Sequence, residues 1–283
     1  MTDSADRPKP PAPLLRHGTR PSAALRILYL CHRVPYPPDK GERIRAFHQI
    51  RALSRRHRVS LFTLADSAVP DLRPLEEMCE RVEVFNLNRP AAYLRSALSV
   101  WRRRPLTLSF FESAELKTRL QALAKSERFD VVVVYSSAMA PYADALPGVP
   151  AVLDMVDVDS AKWAQYSSFA KRPMRPVYAL EARRLQAYEA SLVDRFQRVV
   201  LVTDGEARTL RSFAPEARPE SIPNGVDFDF FRALDLPKAE LPTLVFTGQM
   251  DYFANIDGVC HFAREVFPRL RARYPDLQFA VVG

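Results

Sequence analysis

The sequence predicts an α/β protein with mostly parallel sheets, in which one complete domain is followed by the beginning of a second. Short apolar runs alternate along the chain with segments of helical periodicity, which is the order that builds parallel crossovers. The chain has 283 residues, more than the ~100–200 residues of one domain. After a proline-containing linker, a strand-like run begins again at residue 243.

The first crossover sets the direction of the sheet. Residues 25–34 (LRILYLCHRV) form a short, nearly continuous apolar run, as a strand covered on both faces does. A proline-rich loop, residues 35–41, leads into a helix. Its apolar stripe is expected at Ile44, Phe47, Ile50 and Leu53. The next strand is expected at residues 59–66, so the unit is a parallel crossover.

The same alternation continues to the end of the first domain. Strands are expected at residues 82–87, 130–137, 150–157, 198–205 and, with a turn, 221–227. Helices are expected at residues 112–129, 161–170, 174–196 and 206–214. This order favours one mostly parallel sheet for the domain that covers residues 25–233.

The second domain follows a linker at residues 234–242. It comprises a strand at 243–250, a helix at 258–275 and a strand at 277–283. One strand–helix–strand piece is too small to form a stable sheet of its own, so this domain is expected to be incomplete in the chain. At the other end, residues 1–24 are rich in proline and arginine and are expected to be a disordered tail.

Composition and simple motifs exclude several classes of protein. The net charge of +8 is too diffuse to indicate nucleic acid, and no run of about 18 apolar residues could span a membrane. The GxGxxG and GxxxxGK[ST] fingerprints are absent, which argues against an NAD enzyme and a P-loop NTPase. No cofactor is therefore expected. The three distant cysteines, Cys31, Cys79 and Cys260, fit a reducing cytoplasm better than a disulfide framework or a zinc site.

Two glycines follow expected strands at places where a ligand could approach. Gly41 precedes the first helix, where free backbone N–H groups and the helix dipole favour an anion. A turn glycine that only supports the chain reversal is the alternative. Gly248 follows the first strand of the second domain and leads through Gln249 towards Asn255, so it is positioned to admit a diphosphate.

Asp157 and Asp159 form a DxD pair after an expected strand. Carboxylates at this spacing hold a cation on a nucleotide diphosphate in many metal-dependent glycosyltransferases, and they suit a hard cation. A second interpretation is capping of the next helix by Asp159 or Ser160. A third makes Asp157 a catalytic residue of the cleft, acting as acid, base or acceptor-orienting group.

The segment between Phe85 and Phe111 carries no aspartate or glutamate. Within it, Tyr93, Ala97 and Trp101 recur at four-residue spacing, next to Leu94 and Leu98. Arginines flank this stripe at Arg89, Arg95, Arg102, Arg103 and Arg104. Aromatic and aliphatic residues bordered by arginines are typical of a helix at a membrane surface, with Tyr93, Trp101 and Arg102–Arg104 as the docking residues. A stripe packed on the sheet, with solvated arginines, is the alternative.

Three longer segments together resemble bacterial group 4 glycosyltransferases. They are LYLCHRVPYPPDKGERIRAFHQIRALSRRHRVSLFT, SIPNGVDFDFF and LVFTGQMDYFANIDGV. The likeness covers residues 25–283 and is greatest to the sugar transferases associated with exosortase/PEP-CTERM exopolysaccharide systems, where CHRVPYPPDKGERIR and FTGQMDY are typical.

The resemblance implies a GT-B-like fold of two facing Rossmann-like domains. The first would bind mainly a glycolipid or polysaccharide acceptor and the second a nucleotide-diphosphate sugar, and the sugar would be transferred with retention and without a metal. Gly41 would then approach the donor phosphate or the acceptor, and Gly248 would lie under the donor diphosphate. Asn224 and Gly225 would lie at the interdomain turn. Such an enzyme is expected in the cytoplasm, at the inner face of the cell membrane.

The chain departs from the family pattern at two places. Many members have Gly-Arg and then a lysine where this chain has Gly248-Gln249 and then Asn255, so neutralisation of the diphosphate must come from elsewhere. The family's paired-glutamate element lies beyond Gly283, so the chain is expected to be inactive alone. A truncated, non-catalytic acceptor-binding module and a DxD metal-dependent transferase are the alternatives.

Overall fold

A computed structural model describes residues 23–228, 231–232, 240–250 and 252–283 of the chain. The chain divides into two compact units, residues 1–225 and 226–283. Most of the expected disordered tail and most of the expected linker lie outside the described residues.

Within the described residues, seven strands form the sheet of the first unit. They are β1 (Arg26–Cys31), β2 (Arg58–Ala65), β3 (Arg81–Asn86), β4 (Val131–Tyr135), β5 (Ala151–Val156), β6 (Arg198–Leu201) and β7 (Glu220–Ser221). All neighbouring strands are parallel, in the order β3-β2-β1-β4-β5-β6-β7. The predicted parallel α/β sheet is confirmed.

The helices of this unit connect the strands. Those in its described part are α1 (Gly41–Ser54), α2 (Arg73–Glu76), α3 (Arg89–Ser99), α4 (Leu106–Phe110), α5 (Ala114–Ser126), α6 (Ala140–Ala143), α7 (Asp159–Phe169), α8 (Met174–Leu192) and α9 (Asp204–Phe213). A 3-10 turn, Ser137–Met139, precedes α6. None of the described helices is long and apolar enough to cross a membrane.

The sheet is buried on both faces. Leu28 and Leu30 of β1 belong to one apolar cluster together with Leu120 of α5, while Ile27 belongs to the other together with Ile50 of α1. Each of these side chains contributes roughly 1.5–3 kcal/mol when fully buried. Burial on both faces explains why the strands read as continuous apolar runs rather than as alternating ones.

One expected core position of α1 is wrong. Ile44 is 41% exposed, and Arg45 next to it is buried. Ala46 and Ile50 of α1 are buried against the sheet, and Arg45 is buried beside them. The interior accepts this charge because Arg45 pairs there with the buried carboxylate of Asp154.

The strand order reverses direction between β1 and β4. The chain runs outward from β1 through β2 to β3, then returns to place β4 on the other side of β1. In open parallel sheets, ligands bind outside the carboxyl ends of the strands at such a switch point. A ligand site is therefore expected at the residues that follow β1 and β4.

The second unit contains β8 (Thr243–Thr247) paired in parallel with β9 (Gln278–Val282). The connection comprises α10 (Phe253–His261), a π-helical turn (Phe262–Val266) and α11 (Phe267–Arg273). The rings of Phe262 and Phe279 pack 4.8 Å apart and attach the connection to the strands. The predicted strand–helix–strand piece is present, although its helix begins earlier than expected.

Candidate functional site

His32 lies at the switch point, directly after β1. Its ring stacks on Tyr135 at the end of β4, with 5.9 Å between the centroids, and meets the ring of Phe111 edge-on at 5.4 Å. Nε2 of His32 lies 3.4 Å from a carboxylate oxygen of Glu42 in the first turn of α1. Tyr135 also donates its hydroxyl to the Glu42 carbonyl at 2.7 Å. The end of β1, the end of β4 and the start of α1 thus meet in one aromatic cluster.

Gly41 is the first residue of α1, and open space lies beside it. A Cβ placed on Gly41 would meet no atom within 4 Å. The residue before it, Lys40, provides no side-chain cap for the helix. The backbone N–H groups of a first turn have no intrahelical partner, so this helix terminus leaves room for an anion or an acceptor hydroxyl next to hydrogen-bond donors.

Glu42 places a negative charge in the same turn. Burial raises its pKa, but the hydrogen bond from His32 and the charge of Arg33 outweigh burial and hold the pKa well below its usual range. Arg33 contacts Glu42 at 2.8 Å and Asp66, after β2, at 3.5 Å. The carboxylates and the guanidinium form an ion cluster along the carboxyl edge, in which Glu42 remains ionised.

The predicted DxD pair lies at the carboxyl end of β5, and a lysine bridges it. Nζ of Lys162 lies 2.7 Å from Asp157 Oδ2 and 3.3 Å from Asp159 Oδ1. Burial lowers the pKa of Lys162, but the two carboxylates raise it more, so the ammonium stays charged. In the described part of the chain, no three His, Cys, Asp or Glu side chains converge as a metal-ligand group.

The capping interpretation of this segment is wrong. The N-cap of α7 is Val158, and no side chain caps the helix. Ser160 instead donates its hydroxyl and its backbone N–H to Glu189 of α8, which is fully buried. Burial raises the pKa of Glu189 to about 8, against the hydrogen bonds from Ser160. Ser160 is therefore turned inward to satisfy a buried carboxyl group.

Left-handed backbone occurs at the ends of two neighbouring strands. Ser136 after β4 has φ 79°, and Val156 at the end of β5 has φ 66°. A β-branched residue in this region costs of order 1–3 kcal/mol. The N–H of Val156 donates to Asp154 at 3.0 Å, and its carbonyl accepts from Val202 at 2.7 Å, which holds it in place. Strain of this kind concentrates at functional sites, so it marks the same carboxyl edge.

Arg45 connects the sheet to the segment that carries Asn224, and sequence reasoning missed it. Its Nε and Nη2 lie 3.0 Å and 2.9 Å from Asp154 Oδ2. Its Nη1 donates to the Ile222 carbonyl and to Asn224 Oδ1, both at 2.9 Å. Gln49 adds a hydrogen bond to Asp154 at 2.5 Å. The only sequence signal was a charged residue beside an apolar stripe, and the partners lie more than 100 positions away.

Asn224 and Gly225 are both exposed. A Cβ on Gly225 would meet no atom within 4 Å, so this glycine is not required by local packing. Arg45 fixes the side chain of Asn224, and the two residues end the first unit.

Gly248, Gln249 and Asn255 come together in the second unit. A Cβ on Gly248 would lie 2.9 Å from Asn255 Nδ2, so a side chain at this position would displace Asn255. Asn255 donates Nδ2 to the Gln249 carbonyl at 2.9 Å. The turn after β8 is thereby fixed against the first turn of α10.

The predicted membrane-docking residues form an exposed group, apart from one. Tyr93 on α3 is 57% exposed, and Trp101 in the turn after α3 is 80% exposed. Arg102 and Arg103 are exposed next to Trp101. Arg104 instead pairs with Glu112 at 2.7 Å, so its charge is neutralised locally. The core-stripe alternative is wrong for Tyr93 and Trp101.

The profile of the Glycosyl transferase 4-like domain family matches residues 40–225. Among solved structures, UGT2 of Phytolacca americana complexed with UDP-2fluoro-glucose and pterostilbene is 14% identical, with a TM-score of 0.49 over 92% of this chain and 71% of that chain. The glycotransferase of kitacinnamycin is 15% identical, with a TM-score of 0.49 over 92% of this chain and 65% of that one. UGT71G1 of Medicago truncatula complexed with UDP-glucose is 12% identical, with a TM-score of 0.46 over 90% of this chain and 71% of that chain. No curated protein matches the chain.

Proposed function

The chain belongs to the glycosyl transferase 4-like family, and from this premise we propose that it transfers a sugar from a nucleotide-diphosphate sugar to a glycolipid or exopolysaccharide acceptor. The transfer retains the anomeric configuration and needs no metal ion. The observation that carries the proposal is the family match, which runs from the start of α1 to Gly225 and so spans most of the described first unit.

The acceptor binds at the carboxyl edge of the first sheet. Support comes from the switch point between β1 and β4, the open space beside Gly41 and the strained backbone at Ser136 and Val156. Asp157 is the carboxylate that orients the acceptor hydroxyl, because it lies at this edge and is held in place by Lys162 at 2.7 Å. Asn224 is held at the end of the unit by Arg45.

The donor diphosphate binds at the turn that follows β8. Gly248 brings no side chain to this turn, and the turn is joined to the first residues of α10, where the helix dipole favours an anion. Gln249 and Asn255 are neutral, so the protein recognises the diphosphate here by hydrogen bonds and the helix dipole rather than by paired charges. The leaving group must still be stabilised electrostatically as the glycosidic bond breaks.

Metal independence is supported by the lysine bridge across the DxD pair. Lys162 already supplies the positive charge that a cation would bring to Asp157 and Asp159. The resemblance to exosortase-associated sugar transferases supports an exopolysaccharide system as the setting, with the enzyme working in the cytoplasm at the inner membrane face.

The test is a transfer assay on the purified protein. Radiolabelled nucleotide sugars are offered singly with lipid and polysaccharide extracts, in the presence and absence of EDTA. We expect label from one donor to enter one acceptor class at a rate that EDTA does not change. Activity that EDTA removes and Mn²⁺ restores would favour the DxD alternative. Acceptor binding without transfer from any donor would favour the non-catalytic module.

A further inference from the structure

We infer that α3 and the turn after it form a docking surface for an anionic lipid bilayer. This docking surface consists of Tyr93, Leu94, Leu98, Trp101, Arg102 and Arg103. The inference rests on the proposed function for its biological use, because a lipid-linked acceptor would be reached at a membrane. Vesicle binding is measured without turnover, however, so a failure of one proposal is distinguishable from a failure of the other.

The apolar members of the docking surface are exposed on one side of α3. Leu94 is 62% exposed and Leu98, one turn later, is 47% exposed. Tyr93 and Trp101, at 57% and 80%, lie beside them. Single exposed apolar residues are common, but a contiguous group on one helical face indicates an interaction site.

The charges beside this apolar group fit anionic lipid. Arg102 and Arg103 are exposed and form no ion pair with any residue that the structure describes. No carboxylate occurs between Phe85 and Phe111 to neutralise them. Each basic residue near an anionic bilayer contributes about 1 kcal/mol to binding. Trp and Tyr side chains favour the headgroup level of a bilayer, between its apolar interior and its charged surface. Tyr93 and Trp101 likewise lie between the leucines and the arginines of the docking surface.

The other arginines of this segment contact other residues of the protein. Arg95 donates to the carbonyls of Ser109 and Glu112, at 3.3 Å and 2.9 Å. Arg104 pairs with Glu112. Arg89 lies over the ring of Tyr93, 6.0 Å from its centroid. In the turn after α3, Arg102 and Arg103 are therefore the charges left for docking, while Arg89 lies against Tyr93 of the docking surface.

Hydrogen bonds from α8 hold the turn after α3 in place. Arg184 donates to the carbonyls of Ser99, Val100 and Arg104 at 3.1, 2.6 and 3.2 Å. Glu181, fully buried, accepts the N–H groups of Leu106 at 2.6 Å and of the next residue at 2.9 Å. The turn is thus fixed to the domain while its tryptophan projects into solvent.

A bilayer fits this surface better than a second copy of the chain. In a twofold dimer the same patch would face itself, so four guanidinium groups, Arg102 and Arg103 of both copies, would lie within one apolar interface. The segment offers no carboxylate to pair with them. A bilayer provides an apolar interior and negative headgroups at the same surface, which satisfies both halves of the patch.

Co-sedimentation with vesicles tests the inference on the full chain. Vesicles of phosphatidylcholine alone are compared with vesicles that also contain phosphatidylglycerol, at low and high salt. We expect binding only with phosphatidylglycerol, weakened by salt. Arg102→Gln/Arg103→Gln should bind about 30-fold more weakly, since two charges at about 1 kcal/mol each are lost. Trp101→Ser should also reduce binding.

Arg55→Gln/Arg56→Gln is the matched control. It removes two adjacent exposed arginines from the same unit, at the C-terminal end of α1. We expect it to bind like wild type, with circular dichroism confirming that all variants are folded. Equal weakening by both arginine pairs would mean attraction by net charge and would overturn the docking surface. Failure of the folded wild type to bind the vesicles would also overturn the docking surface. So would the finding that the chain forms a concentration-dependent dimer that Trp101→Ser dissociates.

Discussion

Arg45 is a buried charge that ties three parts of the first unit together. It is 6% exposed and contacts Asp154 as well as the segment that holds Asn224. Removal of one member of a buried ion pair leaves the other charge uncompensated, which costs about 3–5 kcal/mol. We therefore expect Arg45→Met to lower the free energy of unfolding by about that amount, measured by urea denaturation.

The double variant Arg45→Met/Asp154→Leu tests whether the two charges are coupled. Its loss in free energy of unfolding should be smaller than the sum of the losses of the two single variants, because no charge remains buried alone. Strict additivity of the two single effects would contradict a coupled buried pair.

Gly41 tests whether the start of α1 is a ligand site. The open space beside it means that Gly41→Val should fold with an unchanged melting temperature. In the transfer assay we expect activity to fall at least about tenfold, because the new side chain occupies the space next to the helix N-terminus. Gly258→Val is the control, since a Cβ there also meets nothing within 4 Å. Full activity of Gly41→Val would remove Gly41 from the site.

Glu189 makes stability depend on pH in a direction opposite to that of most carboxyl groups. Burial raises its pKa to about 8 in the folded chain, above its ordinary value of 4.5. Between these two values the folded state holds a proton that the unfolded state releases, so stability falls as pH rises from about 4.5 through about 8.

We expect Glu189→Gln to flatten this pH dependence, since the amide still accepts from Ser160 but does not ionise. Urea unfolding at several pH values between 5 and 8 measures it, with the slope of wild type compared with that of the variant. Identical slopes would show that Glu189 does not change its protonation on unfolding.

At the scale of elements, α8 is the support of the docking surface. Arg184 satisfies three backbone carbonyls of the turn that carries Trp101. Arg184→Ala should loosen this turn, raise amide exchange at residues 100–103 and weaken vesicle binding several-fold. Arg183→Ala removes the same charge from the neighbouring, exposed position. Equal effects of the two variants would show that charge, and not the held turn, controls binding.

Elements were predictable from sequence where burial is local. The strands β1, β4 and β5 read directly as apolar runs because helices cover both faces of the sheet. Helix α5 begins where Ser113 accepts the N–H of Leu116, which is a cap that the sequence can suggest. Helix α7 has no side-chain cap, and there the capping prediction failed.

Much of the site could not be predicted, because its charges are buried by distant partners. Arg45 meets Asp154 across 109 positions, and Glu181 meets Leu106 across 75. A charged residue inside a helix reads as solvent-facing until its partner is known. The sequence did indicate that Gly41 and Asp157 would lie at one edge of the sheet, because loops after parallel strands converge there.

At the scale of the whole molecule, the two units divide the proposed reaction between them. Among the described residues, the first unit has a seven-stranded parallel sheet with a switch point, and the second has a glycine turn against the start of a helix. The acid-free segment from Phe85 to Phe111 adds a surface for lipid. The proposals thus give acceptor, donor and membrane separate sets of residues, and each set has its own test.

The anomeric configuration of the product tests the central claim most directly. The purified protein is supplied with the α-linked nucleotide sugar that the donor panel identifies, together with its acceptor and excess EDTA. Proton NMR then reads the linkage of the new glycoside. We expect an α-glycoside, formed as fast as without EDTA. A β-glycoside, or product that appears only with added divalent cation, would contradict a retaining, metal-independent glycosyltransferase.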